Sequence, residues 1–335
     1  MDQPGDRAGP APAGGMAPPV NGAPRSRLEG LLRSGTFAVT AELGTVDSAD
    51  LASVRRVAEP LRGVADAVNC TDNSAAHVHL SPVAAARAAM DVGLEPIVQF
   101  TCRDRNRLAL QSDILGAAAL GVRNVECMTG DDVSAGDHPG ASPSWDLDSL
   151  HLLRVARTMR DHGVSLSGRR LDGAPSYFLG AVENPFAPPH DFRPLRLGKK
   201  IEAGAEFFQL QIVFNIGRLR EFMRRVVDLG LHERAYILPS VCVPRSARAL
   251  RYLRDEVPGI DVPEDVLARL ERTPPDRQAE ESIRMGLETV AAVRQMPGVA
   301  GVHLIAIKWE EAIVRVADAA GLLPRPELPA LEPAP

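Results

Sequence analysis

Lysine is almost missing from this chain. Of its 38 basic residues, 35 are Arg and only Lys199, Lys200 and Lys308 are Lys. They stand against 43 acidic residues, for a formal net charge of −5 over 335 residues, and no basic block gathers them. Neutralising a phosphate backbone needs clustered Lys or Arg, so no nucleic-acid partner is expected. Cysteine is scarce too. Cys70, Cys102, Cys127 and Cys242 lie far apart, which suits neither a disulfide framework nor a CxxC zinc site, so they read as core residues and no metal is expected. Long apolar runs are lacking: none reaches the roughly 18–20 residues that cross a bilayer. The start Met1-Asp2-Gln3-Pro4-Gly5-Asp6 has neither the basic nor the apolar stretch of a secretory signal. A cytoplasmic protein without a membrane partner is expected, with enough apolar residues (45%) for a large core.

Both ends read as tails. Residues 1–26 hold six Pro, five Gly and five Ala, and residues 324–335 hold five Pro. Such stretches bury too little apolar surface to offset the entropy of ordering them, so disorder is expected. Residues 27–323 remain as one domain.

Within that domain, short apolar or β-branched runs alternate with amphipathic stretches rich in Ala, Arg and Leu. The runs predict strands at Phe37–Leu43, Ala65–Thr71, Glu95–Cys102, Asn124–Met128, Ser176–Val182, Glu206–Val213, Ala235–Val243 and Gly301–Ile307. Helices are predicted between most pairs, among them Val83–Val92, Ala109–Leu120 and Arg218–Leu229. Strand then helix, repeated about eight times, predicts an α/β fold of the (β/α)8 TIM-barrel type. An open doubly wound sheet is the runner-up, but Glu42-Leu43-Gly44-Thr45-Val46 stands where a GxGxxG would follow the first strand.

A barrel places its active site at the C-terminal ends of the strands. Those ends offer Thr40 and Glu42, then Asn69 and Thr71, then Gln99, Thr101 and Arg103. Further round come Gly130-Asp131, Glu183-Asn184, Gln209 with Gln211, and Lys308. Alternation puts Thr40 and Glu42 on one face of their strand, and Gln209 and Gln211 on one face of theirs. On residue type alone several have a plainer reading. Glu42 could be a solvated carboxylate, Asp131 a turn residue, and Lys199-Lys200 a soluble helix turn. Arg103, Arg105 and Arg107, interleaved with Asp104 and Asn106, read as a solvated, ion-paired loop.

From about Gly35 to Gly321 the sequence resembles the methylenetetrahydrofolate reductase family. The stretches that carry the resemblance are Phe100-Thr101-Cys102-Arg103-Asp104, Gly121-Val122-Arg123-Asn124-Val125 with Met128-Thr129-Gly130-Asp131, Leu197-Gly198-Lys199-Lys200-Ile201-Glu202-Ala203-Gly204-Ala205 with Gln209-Leu210-Gln211, and Pro297-Gly298-Val299-Ala300-Gly301-Val302-His303-Leu304. The resemblance implies a barrel that holds FAD across its strand ends. NADH or NADPH reduces the flavin, which passes hydride to 5,10-methylenetetrahydrofolate, a step of one-carbon metabolism and methionine biosynthesis. By the same resemblance Glu42 is the general acid, Asp131 lies beside flavin and pterin, and Gln211 contacts the folate substrate. Asn69, Thr71, Gln99, Gly130, Lys199 and Lys200 fall on flavin-contacting positions, the lysines toward its phosphates.

The chain also departs from the family pattern. Gln99 stands where many members have a flavin-contacting His, and Gly180 and Asn184 where members place a Tyr and a His. Asn215 replaces an Asp, and Trp309 sits near a position that members often give to a substrate-contacting Arg. Two alternatives follow: a reductase that dispenses with flavin and takes hydride directly from NAD(P)H, and a non-catalytic folate-binding partner subunit. A homo-oligomer is left open.

Overall fold

The computed structural model describes residues 22–327. Eight parallel strands close into a barrel in chain order, β8 pairing back onto β1. They are β1 (Ala38–Glu42), β2 (Ala67–Cys70), β3 (Pro96–Thr101), β4 (Asn124–Met128), β5 (Phe178–Glu183), β6 (Phe207–Ile212), β7 (Tyr236–Cys242) and β8 (Gly301–Ile305). Each falls within its predicted run except β5, which extends one residue further. The helices are α1 (Arg27–Arg33), α2 (Leu51–Ala58), α3 (Pro82–Asp91), α4 (Arg107–Ala119), α5 (Ser149–His162), α6 (Phe192–Ala203), α7 (Ile216–Asp228), α8 (Ala247–Glu256), α9 (Glu264–Glu271), α10 (Gln278–Arg294) and α11 (Glu310–Ala319).

Period-two alternation separates the two faces of the wall. Val39, Ala41, Val68, Cys70, Val125 and Cys127 turn outward into the core shared with the helices. Ala38, Ala67, Ile97, Phe178, Phe207 and Tyr236 turn inward and fill the lower lumen together with Leu28 and Leu32 of α1. Full burial of a Leu contributes about 1.5–3 kcal/mol, so α1 is a structural plug. Ser26 caps it by accepting from Glu29 N at 3.0 Å, and the Glu95 carboxylate accepts from Arg27 N and Leu28 N at 2.7 and 2.9 Å. The fold also continues past the expected C-terminal boundary, where Arg325 pairs with Asp66 at 2.6 Å. The rest of both tails, 1–21 and 328–335, lies outside the described residues.

Gly180 is explained by this lumen packing. A Cβ there would lie 2.2 Å from the ring of Phe207, which itself stacks on Phe178 at 4.8 Å. The ring fills the space a side chain at 180 would occupy.

The β7–β8 connection is the longest elaboration. Its α8 and α9 bury Leu250, Leu253, Leu267 and Leu270 against Ile212, Cys242 and Ile305 at the tops of β6, β7 and β8. This forms a cap over one side of the barrel mouth.

Candidate active site

The upper lumen is polar. Register pairs Thr40 with His303 and Gln99 with Glu126 on adjacent strands, and the side chains meet. Thr40 Oγ1 lies 3.0 Å from His303 Nδ1, and Gln99 Nε2 donates to Glu126 Oε2 at 2.9 Å. Gln209 crosses the lumen between them. Its Nε2 lies 3.2 Å from Thr40 Oγ1, 3.0 Å from Asn69 Oδ1 and 3.3 Å from His303 Nδ1. The other end of its amide accepts from Asn69 Nδ2 and faces both Glu126 oxygens at 3.3 Å. A fully buried Asn, Gln and His without such partners would each be costly, so the network is what makes this polar layer tolerable. Burial pushes His303 down to about 3, so its ring is neutral.

Glu42 stands above this layer, two residues along the same face of β1. It keeps some exposed surface toward the mouth, while the surrounding wall desolvates the carboxyl and pushes it up to about 7. No hydrogen-bond or ion-pair partner of Glu42 occurs among the described residues. Glu126 has no exposed surface, and burial pushes it up to about 8, opposed by the Gln99 hydrogen bond and the Lys200 charge.

The loops beyond the strands frame the mouth. Gly130, with φ of 95°, turns the chain after β4 so closely that a Cβ would lie 3.1 Å from Thr101 Cβ. Asp131 follows it and is exposed. Arg103 is not the solvated loop residue expected. It is 2% exposed, and its guanidinium donates to Asp104 at 2.7 Å, to Asn73 O at 3.0 Å and to Asp131 O at 3.3 Å. One planar group therefore ties together the loops after β2, β3 and β4. Asp72 beside it accepts from Thr101 N at 2.7 Å and pairs with Arg105.

Gln211 lies where the β6–β7 register slips, with its Oε1 accepting from Ile212 N at 2.9 Å. The bulge separates it from Gln209, which sits in the buried layer below. Asn184 and Asn215 hold the cap, donating to Gly259 O at 2.9 Å and to Asp261 Oδ2 at 2.8 Å. Arg245 lies over the Trp309 ring at 5.7 Å.

Residues 47–321 match the family model for methylenetetrahydrofolate reductase. The chain belongs to that family. The match begins five residues after Glu42, so β1 lies just outside it. A probable methylenetetrahydrofolate reductase (NADPH) of Caenorhabditis elegans is 22% identical over 179 residues, 53% of this chain and 25% of that protein. This chain therefore spans about a quarter of that relative's length. Among solved structures, an uncharacterized protein from Clostridium thermocellum that binds two copies of 5-methyl-5,6,7,8-tetrahydrofolic acid matches with a TM-score of 0.62 at 14% identity, covering 89% of this chain and all (100%) of that one. The EDTA monooxygenase EmoA of Chelativorans sp. BNC1 matches at 0.51 and 12% identity, covering 86% and 95%. At such identities the likeness is one of fold.

Of the six residues that the resemblance gives to FAD, four have other partners within the chain. Lys200 is the clearest case. It lies on the face of α6 turned to the wall, 2% exposed, with Nζ 3.3 Å from Glu183 Oε2 and donating to Val182 O. Arg193 and Arg196 approach the same carboxylate at 3.7 and 3.8 Å. Lys199 stands exposed over the Phe192 ring at 5.1 Å. Asn69 and Gln99 spend their amides on Gln209 and Glu126. Thr71 and Gly130 alone of the six keep their place at the mouth without such a partner.

Two polar residues of the upper lumen were not among the sequence candidates. Glu126 and His303 each interrupt an apolar strand (Asn-Val-Glu-Cys-Met and Gly-Val-His-Leu-Ile) at an inward position. A titratable residue at a buried strand position is the signal that marks them.

Proposed function

We propose that this chain reduces 5,10-methylenetetrahydrofolate to 5-methyltetrahydrofolate, with NADH or NADPH as the source of hydride. The observation that carries the reading is Glu42. It is a carboxyl without a partner among the described residues, at the inner edge of the mouth and held up to about 7 by burial, in a chain of this family. A carboxyl that keeps its proton near neutral pH is the donor the first step requires. The bond from the bridging carbon to N10 breaks, its electron pair stays on N10, and that nitrogen takes the Glu42 proton. The bridging carbon is left as an iminium with N5, and hydride adds to it to give the methyl group. In this reading Gln211 and Asp131, at the tops of β6 and β4, meet the polar edges of the pterin. The folate-binding structural neighbour lends support to the substrate class.

Direct hydride transfer from NAD(P)H is a second reading, favoured by one specific observation. The side chains of Asn69, Gln99 and Lys200 are engaged with other protein groups, so a flavin has few of its usual partners at this mouth. The visible spectrum of the purified chain, before and after adding FAD, separates the two. Bands that bleach with NAD(P)H and return with methylenetetrahydrofolate would restore the flavin-dependent route. A colourless protein that still turns over would establish the direct one. Glu42→Gln should keep the fold and folate binding while losing most turnover, on the order of 10²–10⁴-fold for a general acid. Folate binding with no turnover under any reductant would leave a binding subunit and overturn the reductase.

A further inference from the structure

The link between α8 and α9, residues 257–263, is the edge of the cap that reaches the mouth, and two asparagines hold it from below. Asn184, the residue after β5, accepts from Phe186 N at 2.9 Å and donates from Nδ2 to Gly259 O at 2.9 Å. Asn215, the residue before α7, accepts from Arg218 N at 3.0 Å and donates from Nδ2 to Asp261 Oδ2 at 2.8 Å. The same construction occurs twice. A backbone N–H of its own loop fixes each amide oxygen, which leaves the NH2 end one direction, toward the 259–261 tripeptide.

Gly259 stands between the latch and Gln211. Its φ is +81°, and a Cβ there would lie 2.5 Å from Asn184 Nδ2, so the latch closes only on a glycine. The same Cβ would lie 3.9 Å from Gln211 Nε2. Gln211 is half-buried, and it spends its amide oxygen on Ile212 N at 2.9 Å. Its NH2 has no acceptor among the described residues. Next to that donor Gly259 leaves open the volume that a methyl group would fill. The cap itself packs through an apolar cluster of its own, with Ile260 and Val262 of the link buried in it. At the edge of the cap nearest the mouth, the two asparagines therefore set where Gly259 stands relative to Gln211.

We infer that Asn184 and Asn215 are positioning residues for the substrate: by latching the cap at Gly259 and Asp261 they hold Gly259 as the wall of a subsite, in which an acceptor on the edge of the bound ring meets the Gln211 NH2. A heteroaromatic edge with a carbonyl oxygen or a bare ring nitrogen is the chemistry that fits, because it brings an acceptor within hydrogen-bond distance without bulk above or below its plane. The identity of that ring, the pterin of folate, rests on the proposed reductase function; the latch does not. A loosened latch leaves Gln211 in place and removes the wall beside it. Ring affinity then falls, while proton donation from Glu42 at the top of β1 is untouched.

The first test needs no turnover. In hydrogen exchange of the ligand-free chain, Asn184→Ala and Asn215→Asp should each quicken residues 257–262 and leave residues 72–76 unchanged. Asn215→Asp keeps the α7 cap, since Asp accepts from Arg218 N as well as Asn does, and breaks only the contact to Asp261, by like charge. Adding Asp261→Asn to it restores one donor and one acceptor, so exchange should return to the wild-type rate. Exchange unmoved by both single variants, or not restored by the double one, would overturn the latch whatever the enzyme does. For the subsite the probe is 5-methyltetrahydrofolate. It should bind about three- to tenfold more weakly to either single variant, the worth of one hydrogen bond, and at wild-type strength to the double one. In turnover the folate KM should rise by the same factor, with kcat and the NAD(P)H KM unchanged. Undiminished folate binding in a chain whose link exchanges faster would overturn the subsite, as would a wild type that does not bind the probe. Binding that follows the latch in a chain without turnover would instead overturn the reductase reading alone.

Discussion

Lys200 and Glu183 meet behind the barrel wall, Nζ to Oε2 at 3.3 Å, with side-chain exposures of 2% and 0%. The pair joins α6 to β5 on the helix side of the sheet, away from the lumen. Removing Lys200 takes the nearest cation from a buried carboxylate and leaves Arg193 and Arg196 at 3.7 and 3.8 Å. Lys200→Ala should therefore destabilise the chain, by at most roughly 3–5 kcal/mol. Chemical denaturation would measure that loss. A variant of unchanged stability with weakened cofactor binding would instead return Lys200 to the site.

Stability should fall as pH rises from about 4.5 to about 8, because the buried carboxyls that lose their protons outnumber the one buried histidine whose contribution runs the other way. Glu42 and Glu126 rise from 4.5 to about 7 and about 8 in the fold. The folded chain thus keeps protons that the unfolded chain releases above 4.5, and their contribution is lost as pH rises to about 8. Burial raises Asp72 and Glu95 as well, with the same sign. His303 has the opposite sense: lowered from 6.5 to about 3, it costs stability as pH falls through that window. Above 6.5 only the carboxyl losses remain. Glu126→Gln should accordingly be more stable than its parent at pH 9, on the order of a few kcal/mol. Melting curves across pH would show this, and a parent whose stability rises from pH 6.5 to 9 would contradict it.

Arg103 holds the mouth together. Arg103→Ala breaks contacts to Asp104, Asn73 and Asp131 at once. Faster hydrogen exchange is expected in residues 72–76 and 129–136, with folate KM raised more than kcat is lowered. Arg103→Lys should rescue little, since an ammonium cannot span the fork of a guanidinium. Exchange rates unchanged in both loops would rule out this bracing role.

Much of the fold is legible in the chain because barrel strands obey a local rule. Apolar alternation over five or six residues, punctuated by amphipathic helices, marks all eight strands to within two or three residues at each end. It also turns Glu42 and Gln99 inward, and the family resemblance gives Glu42 its proposed role. Other signals were weaker. Arg103 looked like a solvated loop residue because its neighbours are charged, yet the backbone oxygens it serves belong to other loops. Asn184 and Asn215 looked like departures from a cofactor pocket, whereas they hold Gly259 and Asp261 of the α8–α9 cap. Gly180 looked like a lost contact, and the Phe207 ring accounts for it.

The sequence by itself determined the number and order of the strands, and which side chains could face the lumen. Tertiary structure decided which of them meet. Gln209 reaches Thr40 across 169 residues of chain, and Lys200 turns to Glu183 because its helix packs that face on the wall. Alternation along a strand and periodicity along a helix are local, set by backbone geometry. The partners of a buried charge are set by barrel closure, stagger and helix docking, which depend on the whole chain at once.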